Sequence, residues 1–458
     1  MSTSAATPTD HPVSARSHWL WIPSLYFGQA IPYVVVMTLS VVLYKRLEVS
    51  NTDIALYTSW LYLPWVIKPL WSPLVDLFGR KRGWVVALQW VIGAALASVA
   101  LMLPLPAFVQ MTLVVFWLMA FASATHDIAA DGYYMLALNT GQQAAFVGVR
   151  STFYRLAMIA GQGGMVYLAG QLEQQLGQVV RAWQIVFVLM GAGFAGLALW
   201  HRLVLPRPAG DLPAAAADGE GDRDGRSDAA RPGAALKPHL QAFLAVFVAF
   251  FRRPDIALVL AFLLLFRLGE AQLLKLATPF MLDPAAQGGL GMSTSQVGIV
   301  YGMVGVGALT LGGLLGGWTI SRVGLQRALI PLMLAVHLPN LLYVVLAAWL
   351  PQSLGLIGAA VAIEQFGYGF GFAAYLMFMI WVARGPQGDN PHQTAHYAIC
   401  TGFMALGMML PGMWSGWLQA QLGYRDFFVW VCVATLPSLG VAWVLRLPPE
   451  FGRAEDKA

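Results

Sequence analysis

Four side chains that could bind charge or carry a proton sit where so apolar a sequence should not have them. Arg267, Glu270 and Lys275 interrupt one long apolar run, and Glu364 interrupts another. A charge at mid-bilayer is costly, so an ionisable residue there is kept for a task by default. The first run starts near Asp255. At about 1.5 Å of helix rise per residue, Arg267 and Glu270 lie roughly 18–23 Å along it, near mid-depth. At i and i+3 they share one helix face. Lys275 stands about 80° round from Arg267 and further along the helix. Glu364 is at similar depth to Glu270 and has no evident local partner. These types suit one chemistry: Arg267 binds an anionic group of a solute, and Glu270 or Glu364 takes up a coupling proton. A solute that occupies Arg267 would change the electric field at Glu270. A self-neutralising Arg267–Glu270 pair is the alternative reading.

Uncharged polar and aromatic residues in the apolar runs are candidates to line a cavity with them. Gln29 and Tyr33 (with Tyr26), Gln162 (with Tyr154), and Gln365 with Tyr368 pair amides with aromatic rings, a combination that suits sugar faces and hydroxyls. Tyr is also enriched at membrane interfaces, which is the competing explanation for each. Asp127 and Asp131, at i and i+4, face the same way near one end of their run, and Arg155 is placed to reach that level. They are read as a gating or bundle-to-bundle ion network rather than as solute contacts. Lys68 is expected to snorkel to the surface. His126 and His396 are read as half-wetted. His337 is read as a peripheral histidine, with proton relay as the lesser alternative.

The elements that must hold these groups follow from composition. Of 458 residues, 58% are hydrophobic and 11% charged, against roughly 25% charged in soluble domains. A spanning helix needs about 20 apolar residues. Twelve stretches qualify: 20–44, 54–75, 84–103, 108–137, 150–172, 183–203, 255–281, 294–318, 326–349, 353–384, 392–420 and 424–446. Pro32 is expected to kink the first, and Gly161, Gly163 and Gly164 to allow close helix approach in the fifth. With both termini inside, inner segments hold nineteen of the 27 Lys and Arg and outer loops four. That bias predicts cytoplasmic termini. Residues 1–18 lack the apolar core of a signal peptide. Pro206 to Pro238, rich in Ala, Gly, Pro and Asp, reads as a disordered linker. His239 to Arg253 reads as an interfacial helix, or as an early start to the seventh span. Cys400 and Cys432 read as small buried hydrophobes, with no metal or disulfide framework.

A short basic loop occurs twice. Ser72-Pro73-Leu74-Val75-Asp76-Leu77-Phe78-Gly79-Arg80-Lys81-Arg82 joins the second and third spans, and Gly317 through Arg327 joins the eighth and ninth. The loop resembles the major facilitator signature Gly-x-Leu-x-Asp-Arg-x-Gly-Arg-Arg. The first copy keeps Leu74, Asp76, Gly79, Arg80 and Lys81. The second keeps Gly317, Arg322, Gly324 and Arg327 but has Ser321 for the Asp. Asp76, Arg80 and Arg322 are the gating candidates it supplies. A narrower resemblance, to AmpG-like permeases, covers nearly the whole chain. Its segments are Ala124–Tyr133, Leu63–Pro73, Phe266–Ala271, Glu364 with Gly367 and Gly371, and Thr394–Ala398. Departures fall at His126, Gly132, Tyr134, Arg267 and Glu270.

The resemblance implies an all-α membrane protein with twelve transmembrane helices, in the major facilitator fold of two six-helix bundles related by a pseudo-two-fold axis. The expected division is a tail at 1–18, a first bundle at 19–203, a linker with its interfacial helix at 204–254, a second bundle at 255–446 and a tail at 447–458. It further implies proton-coupled import of anhydromuropeptide, or a related amino-sugar or oligosaccharide, across the bacterial inner membrane by alternating access. Expected partners are the solute, protons and the lipid bilayer. No nucleic acid, cofactor or metal is expected, and the chain is expected to act as a monomer. A carrier for another small solute, a membrane-embedded enzyme and a non-transporting sensor are the alternatives. Against an enzyme, there is no metal-ligand cluster, no Gly-x-Ser-x-Gly elbow and no phosphate-binding glycine loop.

Overall fold

The computed structural model describes residues 15–77, 79–208, 211, 236–385, 390 and 392–453. Every regular element among them is helical. Nine helices are long and apolar enough to cross a membrane, including His18–Arg46, Lys81–Met102, Phe108–Ala137, Ile256–Leu282 and Leu354–Arg384. The ninth, Gln393–Val444, holds two of the expected spans. It is broken at Gly423, whose φ of 74° and ψ of 170° are not helical. The second span is split into Asn51–Trp60 and Leu63–Leu77. The fifth is Thr140–Met158, a π-helical turn Ile159–Met165, and Val166–Leu176. These two complete the twelve.

Local sequence sets many of the ends. Ser50 accepts from the Asp53 amide to start the second span. Asn139 with Gln142, and Ser293 with Gln296, form capping boxes at the fifth and eighth. Each satisfies amides that a helix start leaves orphaned. After Pro32 the first span passes into a π-helical turn, Val35–Leu39. The repeated loop is repeated in conformation too: Gly79 and Gly324 have φ of 80° and 81°, a region that only glycine enters without strain.

The packing pattern reveals the symmetry. In the first half, span three packs on spans four and six, span one on five, and span two on four. In the second half, span nine packs on ten and twelve, seven on eleven, and eight on ten. A two-fold that carries span n to span n+6 maps each of these pairs onto its counterpart. The halves meet along two seams, span two against eleven and span five against eight, and the same operation exchanges them. Glycine makes both seams close. A Cβ at Gly163 would stand 2.7 Å from Met303 Cγ, and one at Gly298 2.6 Å from the Tyr167 amide nitrogen. One at Gly402 would stand 2.8 Å from the Val66 carbonyl. Small residues that bring backbones together are the usual basis of helix association in lipid, where apolar burial gives no net drive.

Where the interfacial helix is expected, a helix runs over Leu236–Phe251, separated from the seventh span by a turn. Phe250 stacks on Phe403 of the eleventh span, with ring centroids 6.4 Å apart. Arg253 donates to the Val382 carbonyl and pairs with Asp255 at 3.0 Å. Most of the expected linker, and both tail ends, lie outside the described residues. Asp211 is described and is not free: its carboxylate accepts from the Lys81 and Arg82 amides at 2.6 and 3.1 Å, capping the third span. In the second half the Phe451 carbonyl accepts from the Leu325 amide at 2.8 Å, at the start of the ninth span. In each half, then, the chain leaving the sixth helix returns to brace the basic loop.

Candidate functional site

The seventh span does not run straight through the site. Its first segment, Ile256–Leu265, ends at Phe266, and the second, Leu268–Leu282, begins with Arg267 as N-cap. Arg267 therefore stands at a helix break, and Glu270 falls in the first turn of the new segment. Aligned peptide dipoles there favour negative charge.

Arg267 is 5% exposed. It donates to Tyr368 Oη at 2.7 Å and lies over the Phe372 ring at 5.1 Å. It does not bond to Glu270. Both Glu270 carboxylate oxygens are buried without a hydrogen-bond partner among the described residues. Arg267 and Glu270 thus feel each other's charge without a direct hydrogen bond or salt bridge, and the guanidinium's hydrogen bond goes to the tenth span. Glu364, which looked partnerless in sequence, accepts from Gln365 at 3.0 Å and from Tyr343 at 3.4 Å. The Tyr343 partner comes from the ninth span, which local spacing could not reveal. Glu270 and Glu364 lie within electrostatic reach of each other.

Two cavities meet at Arg267. A wide vestibule of about 630 Å³ is bounded by Ser72, Lys81 and Asp131 at the basic-loop end. A smaller chamber of about 140 Å³ lies beyond it, lined by Gln162, Lys275, Tyr301, Gln365 and Tyr368 among others. Tyr33, Tyr62, Arg267 and Met408 line both, and so form the neck between them. Of the six expected solute contacts, Arg267, Tyr33, Gln162, Gln365 and Tyr368 therefore come together from spans one, five, seven and ten. Gln29 does not line either cavity; it lies buried beside Asp127. Glu270 and Glu364 are fully buried behind the lining rather than on it.

Beyond the chamber the molecule is closed by contacts between the halves. Lys45, ending span one, pairs with Asp283, ending span seven. Asp283 also accepts from Asn51 and Tyr424, and Asn51 donates to Gln419 at 2.9 Å. On the other seam, Glu173 accepts from Arg46, Trp183 and Thr294, the last at 2.7 Å. The structure is open at the basic-loop end and shut at the opposite one.

The expected gating residues distribute differently from their sequence pattern. Asp131 pairs with Arg150 at 2.7 Å and accepts from Tyr26. Arg150 also lies 4.3 Å over the Tyr26 ring. Arg155 is not the partner: the fifth span runs antiparallel to the fourth and carries it past that level. Its guanidinium reaches instead across the seam to Thr310 at 3.4 Å. Asp127 accepts from Trp65 at 3.3 Å and lies 3.7 Å from Lys68, which also lines the vestibule. Every partner found for the two aspartates belongs to the first half, and the bundle-to-bundle network expected of them is not formed in this state. Arg80 is exposed. Arg322 lies over Trp318 of its own helix, at 5.5 Å. The Asp76 side chain lies outside the described residues.

The histidines are drier than their position suggested. His126 is 1% exposed and contacts Gln89, which contacts His201, which contacts Ser24, at 3.1, 2.9 and 2.9 Å. This chain of side chains ties spans one, three, four and six. His396 is also buried, held by Asn390 at 2.8 Å and edge-to-face with Phe250. His337 contacts Ser438 at 3.2 Å. Lys275, noted in the sequence but given no role, lines the inner chamber and donates to Thr58 at 2.9 Å. Its charge within an apolar run was the available signal.

Two six-helix halves around a cavity open at one end define a solute carrier of the alternating-access type. Residues 24–395 match the Major Facilitator Superfamily, and the chain belongs to that family of transporters. It is 27% identical to the anhydromuropeptide permease of Escherichia coli over 397 residues, covering 86% of this chain and 72% of that protein. Among solved structures it resembles a bacterial homolog of the human lysosomal transporter Spinster (TM-score 0.64, 15% identity, 94% of this chain and 96% of that one). It also resembles a mutant of the nucleoside transporter NupG (TM-score 0.64, 17% identity, 93% and 98%). At those identities the structural likeness speaks for the fold.

Proposed function

We propose that the protein is a proton-coupled importer of anhydromuropeptide, or of a related acidic amino-sugar oligosaccharide, in the bacterial inner membrane, with both termini cytoplasmic. One observation carries the reading: a desolvated guanidinium at the neck between two cavities, with two buried carboxyls behind it and no ion pair between them. A buried unpaired cation is costly, and an anionic group of the solute would offset that cost. Glu270 and Glu364 are fully buried and neither forms a salt bridge among the described residues, so a carboxylate there is costly, and proton uptake removes the charge. Tyr33, Tyr62, Gln162, Gln365 and Tyr368 supply rings and amides for sugar faces and hydroxyls. The permease relative supports the class of solute, and the Arg and Lys bias supports the orientation.

The test is uptake of labelled GlcNAc-anhydromuramate into right-side-out vesicles holding the protein, with and without a protonophore. The reading predicts accumulation that the protonophore abolishes. Accumulation that survives collapse of the proton gradient would sink the coupling, and no uptake would sink the solute.

A further inference from the structure

The inner chamber is too small for a whole oligosaccharide. Ligand pockets run from about 300 to 1,000 Å³; the vestibule, at about 630 Å³, falls in that range, and the chamber, at about 140 Å³, does not. Yet the chamber carries its own cation. Lys275 is 3% exposed, lies 5.2 Å from the Tyr62 ring centroid and hydrogen-bonds only Thr58 among the described residues. Among the described residues no acid lies within ion-pair distance of it. The eleventh span packs glycines against the stems of both side chains. A Cβ at Gly407 would stand 3.2 Å from Arg267 Cβ, and one at Gly412 3.4 Å from Lys275 Cγ. Eight residues of helix, about 12 Å of rise, separate their Cα atoms.

We propose that Lys275 is a second anion subsite, and that the preferred solute carries two separate acidic groups. One is held by Arg267 at the neck. The other sits on an arm that enters the chamber and meets Lys275, while the body of the solute stays in the vestibule. A neutral arm would leave the ammonium with Thr58 as its sole hydrogen-bond partner; an acidic arm would add a charge-assisted bond, among the stronger kinds in proteins. The inference rests on the anionic-saccharide reading above and narrows it to solutes with a distal acid, such as a disaccharide bearing an acidic stem peptide.

The experiment compares two probes in proteoliposomes. One is GlcNAc-anhydromuramate, with a single carboxylate. The other is the same disaccharide with its muramyl carboxylate condensed to Ala-Glu-diaminopimelate, so that all of its acids lie on the peptide arm, several bonds apart. Wild-type protein should bind the extended probe more tightly. Lys275→Met should cut that preference by about tenfold or more, the worth of a charged hydrogen bond, and Lys275→Arg should restore much of it. Should Lys275→Met not accumulate in the membrane, Thr58→Val, which removes the contact that positions the ammonium, is read for a change in the same ratio. If wild type takes up neither probe, the transport reading fails. If it takes up both and neither variant alters the ratio, the second subsite is wrong. Equal loss of both probes in Lys275→Met likewise makes Lys275 structural.

Discussion

Replacing Asp283 with Ala should loosen the closed end of the molecule, and the size of the effect can be worked from its contacts. Asp283 is 4% exposed, pairs with Lys45 across the halves, and accepts from Asn51 and Tyr424. The Lys45 and Asn51 contacts cross the halves and exist only while that end is shut, whereas Tyr424 belongs to the same half as Asp283; once the end opens, water solvates the groups that parted. The net differential is therefore that of a charged hydrogen bond, about 2 kcal/mol, rather than the larger cost of stranding a buried charge. That shifts the closed-to-open ratio at this end by roughly 30-fold. The assay is labelling of Thr278→Cys, a chamber position that is 3% exposed, by an impermeant maleimide added at the end opposite the basic loops. Cys400 and Cys432, the two native cysteines, are first changed to Ser. Asp283→Ala should raise the labelling rate by that order. An unchanged rate would mean that the Lys45–Asp283 cluster does not hold the halves together.

Two further predictions concern packing. Gly302 faces Gln162 and Gly163 across the seam of spans five and eight, with no room for a Cβ. Gly302→Val should cost about 1–3 kcal/mol of overpacking and slow uptake at least tenfold. Gly307→Val, where a Cβ meets nothing within 4 Å, is the control that should stay near wild type. Asp211→Ala removes the cap on the third span and should lower stability by about 0.5–2 kcal/mol, read as a small fall in the thermal unfolding midpoint in detergent. An unaltered midpoint would show that the returning linker does not brace the loop.

The fold was legible because its signals are local. An apolar run of spanning length needs no partner to be recognised, and Gly79 and Gly324 mark the repeat because a left-handed turn demands glycine. The lining of the cavity was legible for a related reason: Arg267, Gln162 and Gln365 are conspicuous in apolar surroundings. What could not be read was pairing. Arg150 rather than Arg155 meets Asp131, Tyr343 reaches Glu364, and Asp283 gathers Lys45, Asn51 and Tyr424, because helix rotation and tertiary register decide which side chains meet. The same holds for the buried His126–Gln89–His201 chain, whose members are spread over three spans. The break at Phe266–Arg267 carries neither Pro nor an adjoining Gly pair to announce it.

The central claim joins a solute at Arg267 to a proton at Glu270 or Glu364. Its most direct measurement is the fluorescence of a pH dye sealed inside proteoliposomes when the GlcNAc-anhydromuramyl probe is added outside. Wild-type protein should acidify the lumen as the probe enters. Glu270→Gln and Glu364→Gln should each weaken or abolish that signal while still exchanging probe for probe. Probe entry with no acidification in wild type, or full acidification in both variants, would contradict the account.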